Sequence, residues 1–194
     1  AVEGAMRALK FAKKHNVKKV VLTSSVAAIF ETGIEKVDYD ENDWSDPDNP
    51  KISNYAKSKT LAEKAAWDFL DQEDNPFEFA VINPALVIGP SLSGDLGVSN
   101  FAIEMVVTGK MPVAIPLQFG FVDVRDVATA HILAMENTES NGERFALAES
   151  DLWYRDIANL LRKNGFDKAP TFSVPVWLAT VSYTHLTLPT ISDV

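Results

Sequence analysis

The 194-residue chain contains no cysteine, which excludes disulfide bonds and thiolate chemistry and fits the reducing cytoplasm. No apolar run approaches the roughly 18 residues that a membrane span needs. Acidic residues outnumber basic ones, which gives a formal net charge of −9 and argues against nucleic acid or an anionic membrane as a main partner. These absences leave a cytoplasmic protein with small-molecule partners as the expectation.

The residues that are present alternate between helical and strand patterns. Helices are predicted over 2–14, 54–72, 101–108, 127–135 and 152–164, and strands over 17–25, 77–83, 119–122 and 143–147. Ser53 or Asn54 is a suitable cap for the long helix, which should bury Ala62 and Ala66. Its exposed side should carry Lys57, Lys64 and Asp68. This alternation predicts an α/β fold with a parallel sheet and crossover helices.

A serine pair and a Tyr-Lys pair carry the chemistry. Tyr55 and Lys59 are four residues apart, so on a helix they project from one face. An ammonium beside a phenol favours the phenolate and lowers its pKa from roughly 10, so Tyr55 could exchange a proton with a developing alkoxide. Ser24–Ser25 ends one predicted strand and Asn83–Pro84 ends the next, at the sheet edge where ligands bind. A chance Tyr-Lys pair on an ordinary amphipathic helix is the alternative, but this setting favours a carbonyl reductase.

Five segments resemble a known family. In chain order they are VVLTSSVAAI, DENDWSD, NYAKSKTLAEKAAW, VINPALVIGP and FVDVRDVATAHI. Together they resemble the extended short-chain dehydrogenases/reductases, within them the dihydroflavonol-reductase/cinnamoyl-CoA-reductase-like group with its microbial aldehyde reductases, over about residues 1–178. The resemblance implies a Rossmann doubly wound parallel sheet with a smaller C-terminal substrate lobe. It assigns Ser25, Tyr55 and Lys59 as catalytic: Ser25 stabilises the substrate oxygen, Tyr55 is the general acid/base, and Lys59 binds the nicotinamide ribose and tunes Tyr55.

The resemblance also implies a nicotinamide cofactor, NADP with NAD possible. Beside Tyr55 and Lys59, the candidate cofactor-binding residues are Ser24 and the loop formed by Pro84, Ala85, Leu86 and Val87. Ser99, just past a glycine-rich stretch, is a candidate contact to the cofactor phosphates. The loop 91–98 and the Phe119–Phe121 pair are candidate substrate walls. No metal site is expected, and His131 is interpreted as a core or boundary histidine.

The chain departs from the family pattern in one important way: it lacks the glycine-rich phosphate loop, since neither GxGxxG nor GxxGxxG occurs in it. We therefore expect an N-terminally truncated fragment whose phosphate loop and NADP/NAD determinants precede Ala1, and whose substrate lobe is incomplete after Leu178. The expected organisation is the C-terminal half of a Rossmann domain over 1–90, a substrate lobe mixed with returning Rossmann elements over 91–180, and a non-native tail over 181–194. That tail resembles translated sequencing-adapter read-through.

The function expected is the reduction of an aldehyde or ketone to an alcohol by NAD(P)H through the Ser-Tyr-Lys site, with this fragment inactive alone. One alternative is an NAD-dependent nucleotide-sugar epimerase or dehydratase, which uses the same three residue types. Another is a non-catalytic binding protein of the Rossmann fold. Asp123 and Asp126 resemble a family motif, but each is first a candidate helix cap.

Overall fold

A computed structural model describes residues 1–34, 36 and 38–173 of the chain. The tail expected at 181–194 therefore lies outside the described residues. The helices are α1 (Val2–Lys14), α2 (Asn54–Gln72), α3 (Gly97–Val107), α4 (Val124–Glu136) and α5 (Tyr154–Lys163). The strands are β1 (Lys19–Thr23), β2 (Glu78–Pro84), β3 (Leu86–Ile88), β4 (Gln118–Asp123), β5 (Arg144–Leu147) and β6 (Ser150–Trp153).

The first sheet has the strand order β1-β2-β5, and both of its pairings are parallel. Thr23 of β1 is opposite Ile82 of β2, and Pro84 of β2 is opposite Leu147 of β5. Helix α2 connects β1 to β2, as a parallel pair requires. The predicted α/β fold with a parallel sheet is confirmed.

The side chains of β2 alternate between two apolar layers, as the period of a strand dictates. Phe79 and Val81 pack with Leu9 of α1 and with the α2 residues Ala66, Phe69 and Leu70. Ala80 and Ile82 face the opposite way and pack with Ala134 of α4. Helices therefore cover both faces of the sheet, which explains why β2 reads as a continuous apolar run.

The described residues of 1–87 and 122–149 form one compact unit, and residues 88–121 and 150–173 form another. The second unit has its own core, made of Val106, Ala114, Tyr154, Ala158 and Ala169. Burial raises the pKa of Tyr154 to about 12. Strands β4 and β6 pair antiparallel, in a sheet of order β3-β4-β6.

Helix α2 has the predicted bounds, with Ala62 and Ala66 buried and Lys57 and Asp68 exposed. Lys64 is half-buried, contrary to prediction, because its ammonium lies 5.3 Å from the centre of the Trp44 ring. A cation at that distance is attracted to the negative face of the ring.

Several other predictions were wrong. Helix α3 begins at Gly97, four residues before its predicted start. Leu86 and Val87 lie in β3 rather than in a loop. Residues 152–153 end strand β6, so the last helix begins only at Tyr154. Helix α4 begins at Val124 and is capped by Asp123, which places Asp126 in its first turn. Among the described helices, none has the length and apolar character that crossing a membrane would require.

Candidate active site

The candidate site lies where β1 and β2 end side by side. The amide of Ser24, the residue after β1, donates to the carbonyl of Ile82 at 2.8 Å. The parallel register therefore continues past Thr23, and Ser24–Ser25 lies next to Asn83–Pro84. The chain thus brings its two predicted polar strand ends to one edge of the sheet.

Ser25 begins a 3-10 turn, Val26–Ala28, and is itself buried. Its Oγ accepts a hydrogen bond from the Ala27 amide at 3.2 Å, so the hydroxyl proton remains available for another acceptor. Buried Ser45 fixes the turn, because its Oγ donates to the Ala27 carbonyl at 2.8 Å and its amide donates to the Ala28 carbonyl at 2.9 Å. These contacts constrain the Ser25 hydroxyl from the side of the 3-10 turn.

A carboxylate and a serine hold the start of α2. Ser53 is the N-cap: its Oγ accepts from the Ala56 amide at 3.1 Å and donates to Glu31 Oε1 at 2.8 Å. The Ser53 amide donates to Glu31 Oε2 at 2.7 Å. A negative charge at a helix amino terminus is favourable because the helix dipole is positive there. These contacts fix the first turn of α2, which carries Tyr55.

Tyr55 and Lys59 lie together on α2. The Lys59 ammonium is 5.9 Å from the centre of the Tyr55 ring, within the range of a cation–π contact. Tyr55 is 58% exposed, so its phenol is accessible to a ligand. Helix α2 packs against the turn that Ser25 begins, and the fully buried Ala28 and Ala56 allow close approach of the backbones. Convergence of the Ser25, Tyr55 and Lys59 functional atoms on one cleft remains a prediction.

The other predicted residues have varied environments. Ser24 is buried, and among the described residues its Oγ has no hydrogen-bond partner. Ala85 follows Pro84, and its amide donates to the Leu147 carbonyl at 2.8 Å. Half-buried Leu86 and Val87 belong to β3. Ser99 lies in α3, which belongs to the second unit.

The His131 side chain of α4 forms a hydrogen bond to β1. Its Nε2 is 2.7 Å from Thr23 Oγ1, and its Nδ1 is 2.8 Å from the Val127 carbonyl. Because a carbonyl only accepts, Nδ1 carries a proton. Within the described part of the chain, no cluster of His, Asp and Glu side chains is placed to hold a metal ion.

Sequence reasoning missed a buried polar network behind the site. Glu63 is fully buried on α2; its Oε2 accepts from Asn83 Nδ2 at 2.8 Å and its Oε1 accepts from Arg144 Nε at 2.5 Å. Asn83 Nδ2 also lies 3.2 Å from the carbonyl oxygen of Ser25. The available signal was a carboxylate between Ala62 and Ala66, on the side of α2 that the pattern predicts to be buried.

The model of the NAD dependent epimerase/dehydratase family matches residues 1–148. The chain therefore belongs to this family, and the predicted resemblance to extended short-chain dehydrogenases/reductases is confirmed. Its fold is that of Rossmann-fold reductases, because solved members of that group superimpose on most of the chain.

Cinnamoyl-CoA reductase CAD2 of Medicago truncatula is 41% identical over 169 residues, which cover 84% of this chain and 51% of the relative. The NADPH-dependent methylglyoxal reductase GRE2 of Saccharomyces cerevisiae is 31% identical over 186 residues, with 84% and 52% coverage. The crystal structure of yeast Gre2 with NADPH matches with a TM-score of 0.76 and 29% identity, over 90% of this chain and 56% of that one. The chain thus spans about half the length of the curated relatives it matches.

Proposed function

We propose that the protein reduces an aldehyde or ketone to an alcohol with NADPH, and that Ser25, Tyr55 and Lys59 form its catalytic site. The observation that carries the proposal is the Tyr55–Lys59 pair at the start of a helix that packs on the Ser25 turn, at the carboxyl ends of two parallel strands. The names of the relatives, cinnamoyl-CoA reductase and NADPH-dependent methylglyoxal reductase, support reduction of a carbonyl group.

Each of the three side chains has a distinct role in this proposal. NADPH, when bound, would supply the hydride for the carbonyl carbon. Tyr55 Oη donates its proton to the carbonyl oxygen, so the product is the neutral alcohol and the phenol becomes a phenolate. The Lys59 ammonium stabilises that negative charge, and the Ser25 hydroxyl donates a hydrogen bond to the substrate oxygen as charge develops there.

We also propose which residues bind the cofactor. Lys59 is assigned to the nicotinamide ribose, and Pro84, Ala85, Leu86 and Val87 to the nicotinamide end. The Ser24 hydroxyl fits a polar ligand, because it is buried at the end of β1 without a partner among the described residues. Ser99 is proposed to contact the cofactor phosphates.

The 194 residues supply no GxGxxG or GxxGxxG loop. In a Rossmann fold the pyrophosphate binds at such a loop and the helix amino terminus that follows it. We therefore expect these 194 residues alone to bind the dinucleotide weakly and to be inactive. Calorimetric titration of the purified chain with NADPH and NADH tests this, and micromolar binding would contradict it.

The family description also includes epimerases and dehydratases. Epimerisation and dehydration leave the overall oxidation state of the substrate unchanged and so consume no NADPH, whereas a reductase consumes one NADPH for each alcohol formed. The segments WSD and KSKTLAEKAAW favour the reductases. The stoichiometry of cofactor consumption therefore separates the two activities.

The test uses the full-length gene product with NADPH or NADH and a panel of aldehydes and ketones that includes methylglyoxal. We expect one NADPH oxidised per alcohol formed, with NADPH preferred over NADH. Conversion of a nucleotide sugar without net cofactor consumption would support an epimerase instead. Cofactor binding without turnover of either substrate class would support a non-catalytic protein.

A further inference from the structure

Asn83 is fully buried at the end of β2, and its amide group lies between two acceptors. Nδ2 is 2.8 Å from Glu63 Oε2 and 3.2 Å from the Ser25 carbonyl oxygen. An ionised carboxylate and a carbonyl can only accept, so Asn83 must present its NH₂ group to them, with one proton for each. The chemistry of the neighbours therefore fixes the orientation of this amide.

Glu63 is itself held in place by Arg144. The guanidinium donates from Nε to Glu63 Oε1 at 2.5 Å and from Nη1 to the carbonyls of Glu41 and Asp43, at 2.6 and 2.8 Å. It also stacks 3.6 Å from the centre of the Trp44 ring. Because both oxygens of Glu63 are engaged by these contacts and by Asn83, the carboxylate has no low-cost alternative orientation.

We propose that Asn83 is a positioning residue for the Ser25 hydroxyl, an inference that rests on the proposed function. Asn83 does not act on the substrate. It holds the carbonyl of Ser25, and the buried Glu63–Arg144 pair holds Asn83. The contact restrains the backbone from which the Ser25 hydroxyl extends. A displacement of about 1 Å at a reacting group can cost roughly 100-fold in rate.

The test replaces Asn83 by serine in the full-length gene product. A hydroxyl has one proton to donate where the amide has two, and the charged Glu63 carboxylate competes for it more strongly than a neutral carbonyl. Asn83→Ser therefore removes the donor from the Ser25 carbonyl, while Glu63 keeps its hydrogen bond from Arg144. Asn83→Thr, like Asn83→Ser, has one hydroxyl proton to donate, and its β-branched side chain suits a strand. It replaces Asn83→Ser in the test if that variant fails to fold.

The matched control is Asn141→Ser. Asn141 Oδ1 accepts from the Phe79 amide at 2.8 Å, near the other end of β2. This substitution also removes an asparagine contact to the backbone, but it leaves the Ser25 turn intact. The variants are compared at temperatures well below their unfolding midpoints.

We expect Asn83→Ser to lower kcat by roughly 10- to 100-fold with little change in KM, while Asn141→Ser keeps the wild-type kcat. In a Ser25→Ala background the same Asn83 substitution should change kcat by about twofold or less, because its effect passes through the missing hydroxyl. An undiminished loss in that background, or a wild-type kcat in Asn83→Ser, would overturn the inference. A wild-type kcat in Ser25→Ala would instead overturn the proposed function and this inference with it.

Discussion

The Lys59 ammonium lies 5.9 Å from the centre of the Tyr55 ring, one helical turn further along α2. Two other lysines of this helix have different surroundings: Lys57 is exposed, and Lys64 lies over the Trp44 ring. The pairing with Tyr55 is thus specific to the lysine at the i+4 position.

Replacing Lys59 by methionine should raise the Kd for NADPH and lower kcat. The substitution keeps an unbranched apolar stem and removes the charge that is proposed to stabilise the Tyr55 phenolate and to contact the ribose. Lys57→Met is the control, since it removes the same charge from an exposed position of the same helix. Equal effects of the two substitutions on cofactor binding and turnover would remove Lys59 from its proposed role.

Replacing Ser53 by alanine should lower the free energy of unfolding by about 1 kcal/mol, because α2 loses its N-cap. Glu31 loses one of its two hydrogen bonds in the same variant. Chemical denaturation measures the change. Two further variants keep a cap acceptor at position 53. Ser53→Thr should be nearly as stable as the wild type, whereas Ser53→Asp should be less stable because it places a second carboxylate beside Glu31. Wild-type stability in both variants would show that Glu31 is not a partner of residue 53.

Breaking the buried Glu63–Arg144 pair should cost about 3–5 kcal/mol of stability, because the remaining charge stays buried without its counter-charge. Glu63→Gln and Arg144→Met are the single variants. The double variant Glu63→Met/Arg144→Met should lose less than the sum of the two single losses, since it leaves no buried charge. Additive losses in denaturant titrations would contradict the pairing.

The Asp123 carboxylate should titrate well below an ordinary aspartate. Hydrogen bonds from Arg125 lower the pKa of Asp123 from 3.8 to about 2. Because the folded-state pKa lies below the unfolded one, the stabilisation is complete above pH 3.8 and is lost as the pH falls through about 2. We expect a carboxyl-carbon NMR titration to show this midpoint, and Arg125→Gln to raise it. An unchanged midpoint in that variant would exclude Arg125 as the cause.

Some of these helices and strands could be predicted from the sequence because their hydrophobic patterns are long or clearly bounded. Helix α2 is long enough for its period to be clear, and Ser53 marks its start. The strand pattern before Ser24–Ser25 and the one before Pro84 predict adjacent ends of a parallel sheet, which the pairing of β1 with β2 confirms.

Short elements and distant contacts could not be predicted in the same way. Strands β3 and β6 have three and four residues, too few for an alternating pattern to stand out. Asp123 and Asp126 are both good caps, and only the end of β4 decides between them. Glu63 and Arg144 are 81 residues apart, so a single sequence gives no sign that they pair.

The most direct test of the central claim is the kcat of Tyr55→Phe in the full-length gene product, with NADPH and an aldehyde that the wild type reduces. The substitution keeps the ring and removes the proton donor, so kcat should fall by roughly 100- to 10,000-fold with little change in the Kd for NADPH. Tyr39→Phe is the control, because it removes a phenol that donates to the Ile34 carbonyl outside the site. Retention of most of the wild-type kcat in Tyr55→Phe would contradict the assignment of this site.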